Sequence, residues 1–87
     1  MSLLGNENIE GLQIMTLTDL PVGANGKVIS VRGEGSVTRR LMEMGLIPGV
    51  AVRMVKAAPF GDPVEVRLRG YSLALRKSEA SAVDIAL

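Results

Sequence analysis

The chain has 87 residues and a net charge of only +1, from 10 lysines and arginines against 9 aspartates and glutamates. This balance excludes a strong nonspecific attraction to nucleic acid. Cysteine and histidine are both absent, which excludes disulfides, thiolate or imidazole metal sites and most acid–base catalysis. Hydrophobic residues make up 47% of the chain, a share that favours one small globular domain.

The N-terminal segment, residues 1–13, shows no sustained apolar period and predicts a flexible tail, and a vector-derived origin for part of it stays open. The folded domain is predicted to span residues 14–87. No apolar run approaches the roughly 20 residues of a membrane-spanning helix, and no export signal is recognisable. The sequence therefore predicts a cytoplasmic location without a transmembrane segment.

The first elements of the domain are a turn and a strand. Val22 is an expected apolar anchor beside a proline and a glycine that mark a turn. Residues 26–33 are rich in β-branched side chains and bounded by glycine, which predicts a strand with Ile29 and Val31 on one face.

A short helix is predicted near residues 36–44. Val37, Leu41 and Met44 recur at i, i+4 and i+7, and Gly45 follows where a left-handed cap is expected. A helix of two or three turns is not stable alone in water. We therefore expect this apolar stripe to pack on a sheet.

The second half of the chain predicts three more strands. Residues 50–57 and 64–69 alternate between apolar and polar side chains, and residues 58–63 between them have the prolines and glycine of a turn. A tight turn at Gly70 and Tyr71 is expected to lead into a strand over residues 72–77.

The pattern ends with a single helical turn near residues 78–80 and a terminal strand over residues 83–87. About five short, regularly spaced strands are typical of a small closed or nearly closed barrel. The predicted fold class is all-β, with one short inserted helix.

The remaining candidates for chemistry are carboxylates: Glu43, Asp62, Glu65 and Glu79. Each lies near arginines that could pair with it, so solvated surface charge is the preferred interpretation. A site made only of carboxylates would also accept Mg²⁺ or Mn²⁺, so a specific iron site is disfavoured. No catalytic, metal or cofactor residue is predicted, and a carboxylate metal-binding protein stays a minor alternative.

Small barrels also bind single-stranded nucleic acid, and several arginines would suit that role. Such proteins stack bases on exposed aromatic rings, whereas this chain has only Phe60 and Tyr71. The same shortage of rings disfavours a groove for polyproline segments. Nucleic-acid binding therefore stays open as an alternative without a strong signal.

Three blocks in the order of the chain resemble the FeoA (ferrous iron transport protein A) family. They are RLMEMGLIPG at residues 40–49, APFGDP at 58–63 and RGYSLALR at 69–76. The segments at 17–20 and 26–28 resemble the opening strand region of the same family. The resemblance covers residues 15 to the C-terminus.

This resemblance implies a five-stranded SH3-like barrel with one inserted helix. It also implies a cytoplasmic accessory of bacterial ferrous iron uptake that binds or regulates the membrane ferrous iron transporter, whose cytosolic part contains a GTP-binding domain. Whether it activates or restrains the transporter stays open, as does self-association through an unpaired strand. A similar domain ends some iron-dependent repressors, but no DNA-binding region precedes it here, which favours the transport role.

The predicted partner-binding surface combines the helix, its exit and the proline-flanked turn. Arginine, methionine and aromatic side chains are enriched at protein interfaces, and a stiff loop loses little entropy on binding. The candidate residues are Arg39, Arg40, Met42, Glu43, Leu46, Phe60, Asp62 and Tyr71.

Overall fold

A computed structural model of the protein describes residues 14–87, so the tail predicted at residues 1–13 lies outside the described part. The strands are β1 Ile14–Thr16, β2 Asn25–Val31, β3 Ala51–Ala57, β4 Val64–Leu68, β5 Tyr71–Leu75 and β6 Val83–Ala86. The helices are α1 Ser36–Glu43 and α2 Lys77–Ala80, with 3₁₀ turns at Leu17–Asp19 and Pro59–Gly61. The all-β prediction with one inserted helix is confirmed, but the sheet has six strands rather than five. The expected opening strand at residues 17–20 is wrong, because Leu17–Asp19 form a 3₁₀ turn and the first strand, β1, lies just before it.

The six strands form one antiparallel sheet in the order β1-β6-β2-β3-β4-β5. The C-terminal strand β6 lies between β1 and β2, with Ile14 opposite Ala86 and Val28 opposite Ile85. Strands β1 and β5 therefore stand at the two ends of the sheet. No helix within residues 14–87 is long and apolar enough to cross a membrane.

The core follows the alternation that the sequence predicts for β3 and β4. Successive side chains of a strand point to opposite faces, so every second residue is buried. The buried residues of these two strands are Val52, Met54, Val64, Val66 and Leu68. Leu41 and Leu46 join the same core cluster, which brings α1 and its exit onto the sheet.

In β2 the predicted face is wrong. Val28 is buried, whereas Ile29 is 38% exposed, and the pairing with β6 shifts register between Val28 and Ser30. Such a bulge places an extra residue on one strand and changes which side chains share a face. Val22, expected as an anchor, is also exposed.

The helix buries less of its stripe than predicted. Leu41 is fully buried and Met44 packs partly against the core, but Val37 is 49% exposed. The helix spans Ser36–Glu43, and Leu41 is the residue within it that is buried. Gly45 has a φ of +109°, so the predicted left-handed helix end is confirmed.

The β4–β5 hairpin turns one residue earlier than predicted. Leu68 pairs with Tyr71, and the two residues between them, Arg69 and Gly70, both have positive φ. This is the type I′ geometry, whose twist matches that of the flanking strands. Tyr71 is therefore the first residue of β5 rather than part of the turn.

Candidate functional site

A surface groove of about 500 Å³ lies between α1 and the end of β5. We call it the α1–β5 groove. Its walls come from four elements, namely α1, the turn after β3, the end of β5 and the helix α2 that follows it one residue later. The lining residues are Arg40, Asp62, Pro63, Ala74, Leu75, Arg76 and Glu79.

Arg40 and Glu79 join the two helices across one side of this groove. The Arg40 guanidinium donates to the Glu79 carboxylate, whose side chain is only 11% exposed. The other oxygen of Glu79 accepts the main-chain N–H of Arg76 at 3.0 Å. This N–H is the main cause that lowers the pKa of Glu79 from its ordinary value of 4.5; burial opposes the shift, and Arg40 adds to it.

The turn after β3 contributes an acidic residue and an exposed aromatic ring. Asp62 accepts the main-chain N–H of Lys77 at 2.9 Å, which ties this turn to α2. Two residues earlier, Phe60 has a φ of +66° and is 96% exposed. A positive φ is unfavourable for a bulky residue, so the turn holds an exposed ring in a strained backbone conformation.

Tyr71 ties the start of β5 to the end of α1. Its hydroxyl donates to the main-chain carbonyl of Met44. The adjacent Gly45 leaves room for this contact, because a Cβ at Gly45 would meet the tyrosine hydroxyl. The Tyr71 ring is therefore held against the helix end, although 42% of the residue is exposed.

The predicted surface residues on α1 do not share one face. Arg39 and Glu43 are exposed on the outer side of the helix. Arg40 points into the α1–β5 groove, and Met42, 41% exposed, lies on the opposite flank because two helical positions differ by about 200°. The structure thus brings Arg40 together with Asp62 but not with Met42.

Leu46 is a correction to the predicted surface. It is fully buried and belongs to the core cluster, since the chain turns inward after the left-handed Gly45. A partner could not touch Leu46 without opening the core. Its sequence position next to the helix exit did not distinguish a core residue from a surface one.

Sequence reasoning missed the contribution of Glu79 and Arg76 to the site. The sequence predicts Glu79 as a solvated surface charge and offers Arg76 only as one of several arginines that could suit nucleic acid, yet Glu79 is buried and closes the first turn of α2 onto Arg76. A signal was available, because a glutamate three residues after the start of a helical turn is the pattern of a capping interaction.

Within residues 14–87 no group of three or more carboxylates is placed to hold a metal ion. Two of the charged pairs are simple ion pairs elsewhere on the sheet. They are Arg32 with Asp84 at 3.0 Å and Lys56 with Glu65 at 3.7 Å. The α1–β5 groove differs from these pairs because its charged side chains line a concave surface, and the turn that supplies Asp62 also carries the exposed Phe60.

The family model described as the FeoA domain matches residues 15–87. The chain belongs to the FeoA family. The resemblance of the three sequence blocks is confirmed.

Two relatives place this FeoA domain in context. It is 33% identical over 73 residues to the Fe(2+) transport protein A/Fe(2+) transporter FeoB fusion protein of Porphyromonas gingivalis, covering 84% of this chain but 9% of that relative. The zinc complex of Stenotrophomonas maltophilia FeoA is 39% identical, has a TM-score of 0.73 and covers 82% of this chain and 88% of that one. That protein is described as an SH3 domain protein, so the SH3-like fold is confirmed.

The same fold also occurs in a manganese-dependent transcriptional repressor. The TM-score is 0.75 at 16% identity, and the match covers 83% of this chain and 40% of the repressor. At this identity the likeness shows the fold alone. The FeoA family match, and the fusion relative named for Fe(2+) transport, associate this domain with ferrous iron transport.

Proposed function

We propose that this FeoA domain is a cytoplasmic accessory of bacterial ferrous iron uptake that binds the cytosolic part of the membrane ferrous iron transporter. The fused relative supports this choice of partner, because there an FeoA region and an FeoB transporter share one polypeptide. The chain spans only 9% of that relative's length and therefore matches a small part of the fused polypeptide.

One observation carries the proposal that the domain acts as an adaptor: the exposed Phe60. A phenylalanine that is 96% exposed contributes nothing to the core of its own domain. Its backbone is held at a φ of +66°, which a smaller residue such as glycine or asparagine would adopt more easily. An exposed aromatic side chain on a strained backbone has the properties of an interface anchor.

The surroundings of Phe60 support the same surface. The turn that carries it also carries Asp62, which lines the α1–β5 groove together with Arg40. The groove therefore offers hydrogen-bonding and charged groups beside the aromatic anchor, an arrangement found at protein interfaces. We place the partner-binding surface at Phe60 and this groove, and we leave out the buried Leu46.

Nucleic-acid binding remains the second candidate. It would need several rings on which bases can stack. Of the two rings in the chain, Tyr71 is held by its hydrogen bond to Met44, which leaves only Phe60 to project freely. The geometry therefore favours a protein partner.

The test is capture of the purified cytosolic domain of the transporter by the immobilised protein. Phe60→Ala should weaken capture about tenfold or more, the size expected for loss of an aromatic anchor. The matched control is Val22→Ala, because Val22 is also a strongly exposed apolar residue in a turn, 62% exposed, but lies in the turn that precedes β2.

Each outcome of this capture experiment leads to a different conclusion. Weaker capture by Phe60→Ala with unchanged capture by Val22→Ala supports the proposed surface. Equal capture by both variants moves the partner site elsewhere, and no capture by the unmodified protein overturns the adaptor function. Binding of a single-stranded oligonucleotide with a steep salt dependence would favour the second candidate.

A further inference from the structure

Two arginines stand directly opposite each other on neighbouring strands of the sheet. Arg53 of β3 pairs in register with Arg67 of β4. Both are exposed, and the residues on either side of each arginine along its strand are buried, so the two side chains share the outer face of the sheet. Facing Cα atoms of antiparallel strands lie about 5 Å apart, so the two guanidinium groups can reach one common point.

The row of facing residues that contains this pair holds no carboxylate. It continues to Asn25 of β2 on one side and to Ser72 of β5 on the other, and both are exposed. Neither arginine forms an ion pair within residues 14–87. The carboxylate two positions earlier on β4, Glu65, pairs with Lys56 at 3.7 Å instead. The row therefore carries two positive charges and no negative one.

This placement of two like charges is unfavourable for the fold by itself. Like charges on directly opposed residues of a sheet repel each other and destabilise the pairing. An acidic residue at either position would replace the repulsion by attraction, and departures from such local rules are expected at functional sites. An anion held between Arg53 and Arg67 would remove the repulsion.

The charge of the pair favours a phosphate group over a carboxylate. A guanidinium presents parallel N–H donors that match the oxygens of either anion. Two guanidinium groups converge here, and a phosphate monoester carries a charge of about −1.5 to −2 at pH 7. One phosphate group therefore neutralises both arginines, whereas one carboxylate leaves a positive charge uncompensated.

A shallow hollow beside the row has space for the rest of such a ligand. It measures about 370 Å³ and shares Asn25 with the row, and its Ala51 lies two residues before Arg53 on the same face of β3. Small or apolar residues make up most of its lining, which consists of Asn25, Gly26, Lys27, Ala51, Ala86 and Leu87. The surroundings therefore suit an organic phosphate with an apolar portion.

We propose that Arg53 and Arg67 form a binding site for a phosphate monoester whose organic part lies in the adjoining hollow. The site is independent of the proposed adaptor function, because no residue that lines the α1–β5 groove contributes to it. The phosphate group would come from a soluble phosphate monoester or from the headgroup of a membrane lipid. The chemistry at the two arginines is the same in both cases.

NMR titration of the full 87-residue chain tests the site. The side-chain Nε–H signals of Arg53 and Arg67 should shift with saturation when phenyl phosphate or inorganic phosphate is added at constant ionic strength. Acetate should bind about tenfold more weakly than inorganic phosphate. Equal effects of acetate and phosphate would show general screening of charge and overturn the assignment, and equal affinity for the two phosphates would remove the hollow from the site.

Charge-matched variants give an independent readout, because a ligand that binds the folded state raises the midpoint of thermal unfolding. Arg53→Gln and Arg67→Gln should each weaken binding of phenyl phosphate about fivefold or more. Arg53→Lys, which keeps the charge but loses the parallel donors, should also bind more weakly than the unmodified chain. Removal of one of two like charges should not destabilise the fold, so weaker binding would not come from unfolding.

The matched control is Arg39→Gln, which removes the same charge from an exposed arginine of α1 that has no ion-pair partner in the described part of the chain. It should bind phenyl phosphate normally. Normal binding by Arg53→Gln and Arg67→Gln would contradict the site. Equal weakening in Arg39→Gln would show that only the net charge matters, which also contradicts it.

Vesicles separate the two sources of the phosphate group. Retention on phosphatidylcholine vesicles that contain phosphatidic acid, lost when Arg53→Gln and Arg67→Gln are combined but kept in Arg39→Gln, supports the site with a lipid headgroup as ligand. Binding of phenyl phosphate without retention on vesicles supports it with a soluble ligand. If the unmodified chain shows neither, the inference is overturned and the adaptor function is unaffected.

Discussion

Arg40 of α1 bonds to Glu79 of α2, 39 positions later in the chain, and the pair forms one side of the α1–β5 groove. Glu79 also accepts the main-chain N–H of Arg76 at 3.0 Å. One buried carboxylate therefore ties the inserted helix to the last part of the domain. The shape of the candidate site depends on this residue, and so does part of the stability.

Replacement of Glu79 should destabilise the fold. Glu79→Ala leaves the Arg76 N–H without its acceptor and Arg40 without its ion-pair partner. We expect the free energy of unfolding to fall by about 1–2 kcal/mol, the usual effect of losing a capping carboxylate. Urea unfolding measures this loss of free energy. Glu43→Ala, at an exposed residue of α1, is the control. Equal losses in the two variants would contradict the role of Glu79.

The same carboxylate predicts a pH dependence. Because the Arg76 N–H and Arg40 hold the pKa of folded Glu79 below its ordinary value of 4.5, its stabilising contribution is fully present above pH 4.5. This contribution is lost as the pH falls through the lowered pKa that Glu79 has in the folded protein. The stability difference between the unmodified protein and Glu79→Gln should therefore shrink below pH 4.5, and a constant difference in urea unfolding across this range would refute it.

Gly45 should tolerate a methyl group poorly for two separate reasons. Its φ of +109° is unfavourable for alanine, and a Cβ would meet the Tyr71 hydroxyl. Gly49 has a φ of +95° but nothing within 4 Å of the added Cβ, so Gly49→Ala carries only the backbone effect. We expect Gly49→Ala to lose about 1 kcal/mol and Gly45→Ala about 2 kcal/mol or more in thermal or urea unfolding.

A double-mutant cycle separates the two effects at Gly45. Tyr71→Phe alone should lose about 0.5–1 kcal/mol, because it removes the hydrogen bond to the Met44 carbonyl. In the Tyr71→Phe background, Gly45→Ala should be less harmful than in the unmodified protein, since the hydroxyl is gone. Strict additivity of the two changes would show that the hydroxyl is not what excludes a side chain.

Phe60 is expected to lower the stability of the fold and to strengthen binding of the partner. Asparagine adopts a positive φ more easily than phenylalanine, and the Phe60 ring is 96% exposed. Phe60→Asn should therefore be as stable as the unmodified protein or up to about 1 kcal/mol more stable. Its capture of the transporter's cytosolic domain should nevertheless fall about tenfold or more, and a less stable variant with normal capture would contradict both parts.

Much of the fold was predictable because the relevant signals are local. The alternation in β3 and β4 depends on the period of a strand, and the helix end at Gly45 depends on the freedom of one residue. The site was only partly predictable. The sequence predicted Arg40, Phe60 and Asp62 as surface residues, and all three are exposed, but it did not indicate that Arg40 and Asp62 also bond to α2. It predicted Glu79 as a solvated charge and Leu46 as a surface residue, and both are buried.

The sequence by itself determined a histidine- and cysteine-free, all-β domain with one helix, because composition and short-range periodicity suffice for those statements. Only the tertiary structure decided the bulge at Ile29, the burial of Leu46, the partner of Arg40 and the free edge of β5. Each of these depends on which distant segments pack together. No local pattern specifies such contacts, since burial and strand order arise from the competition of all apolar surfaces for one core.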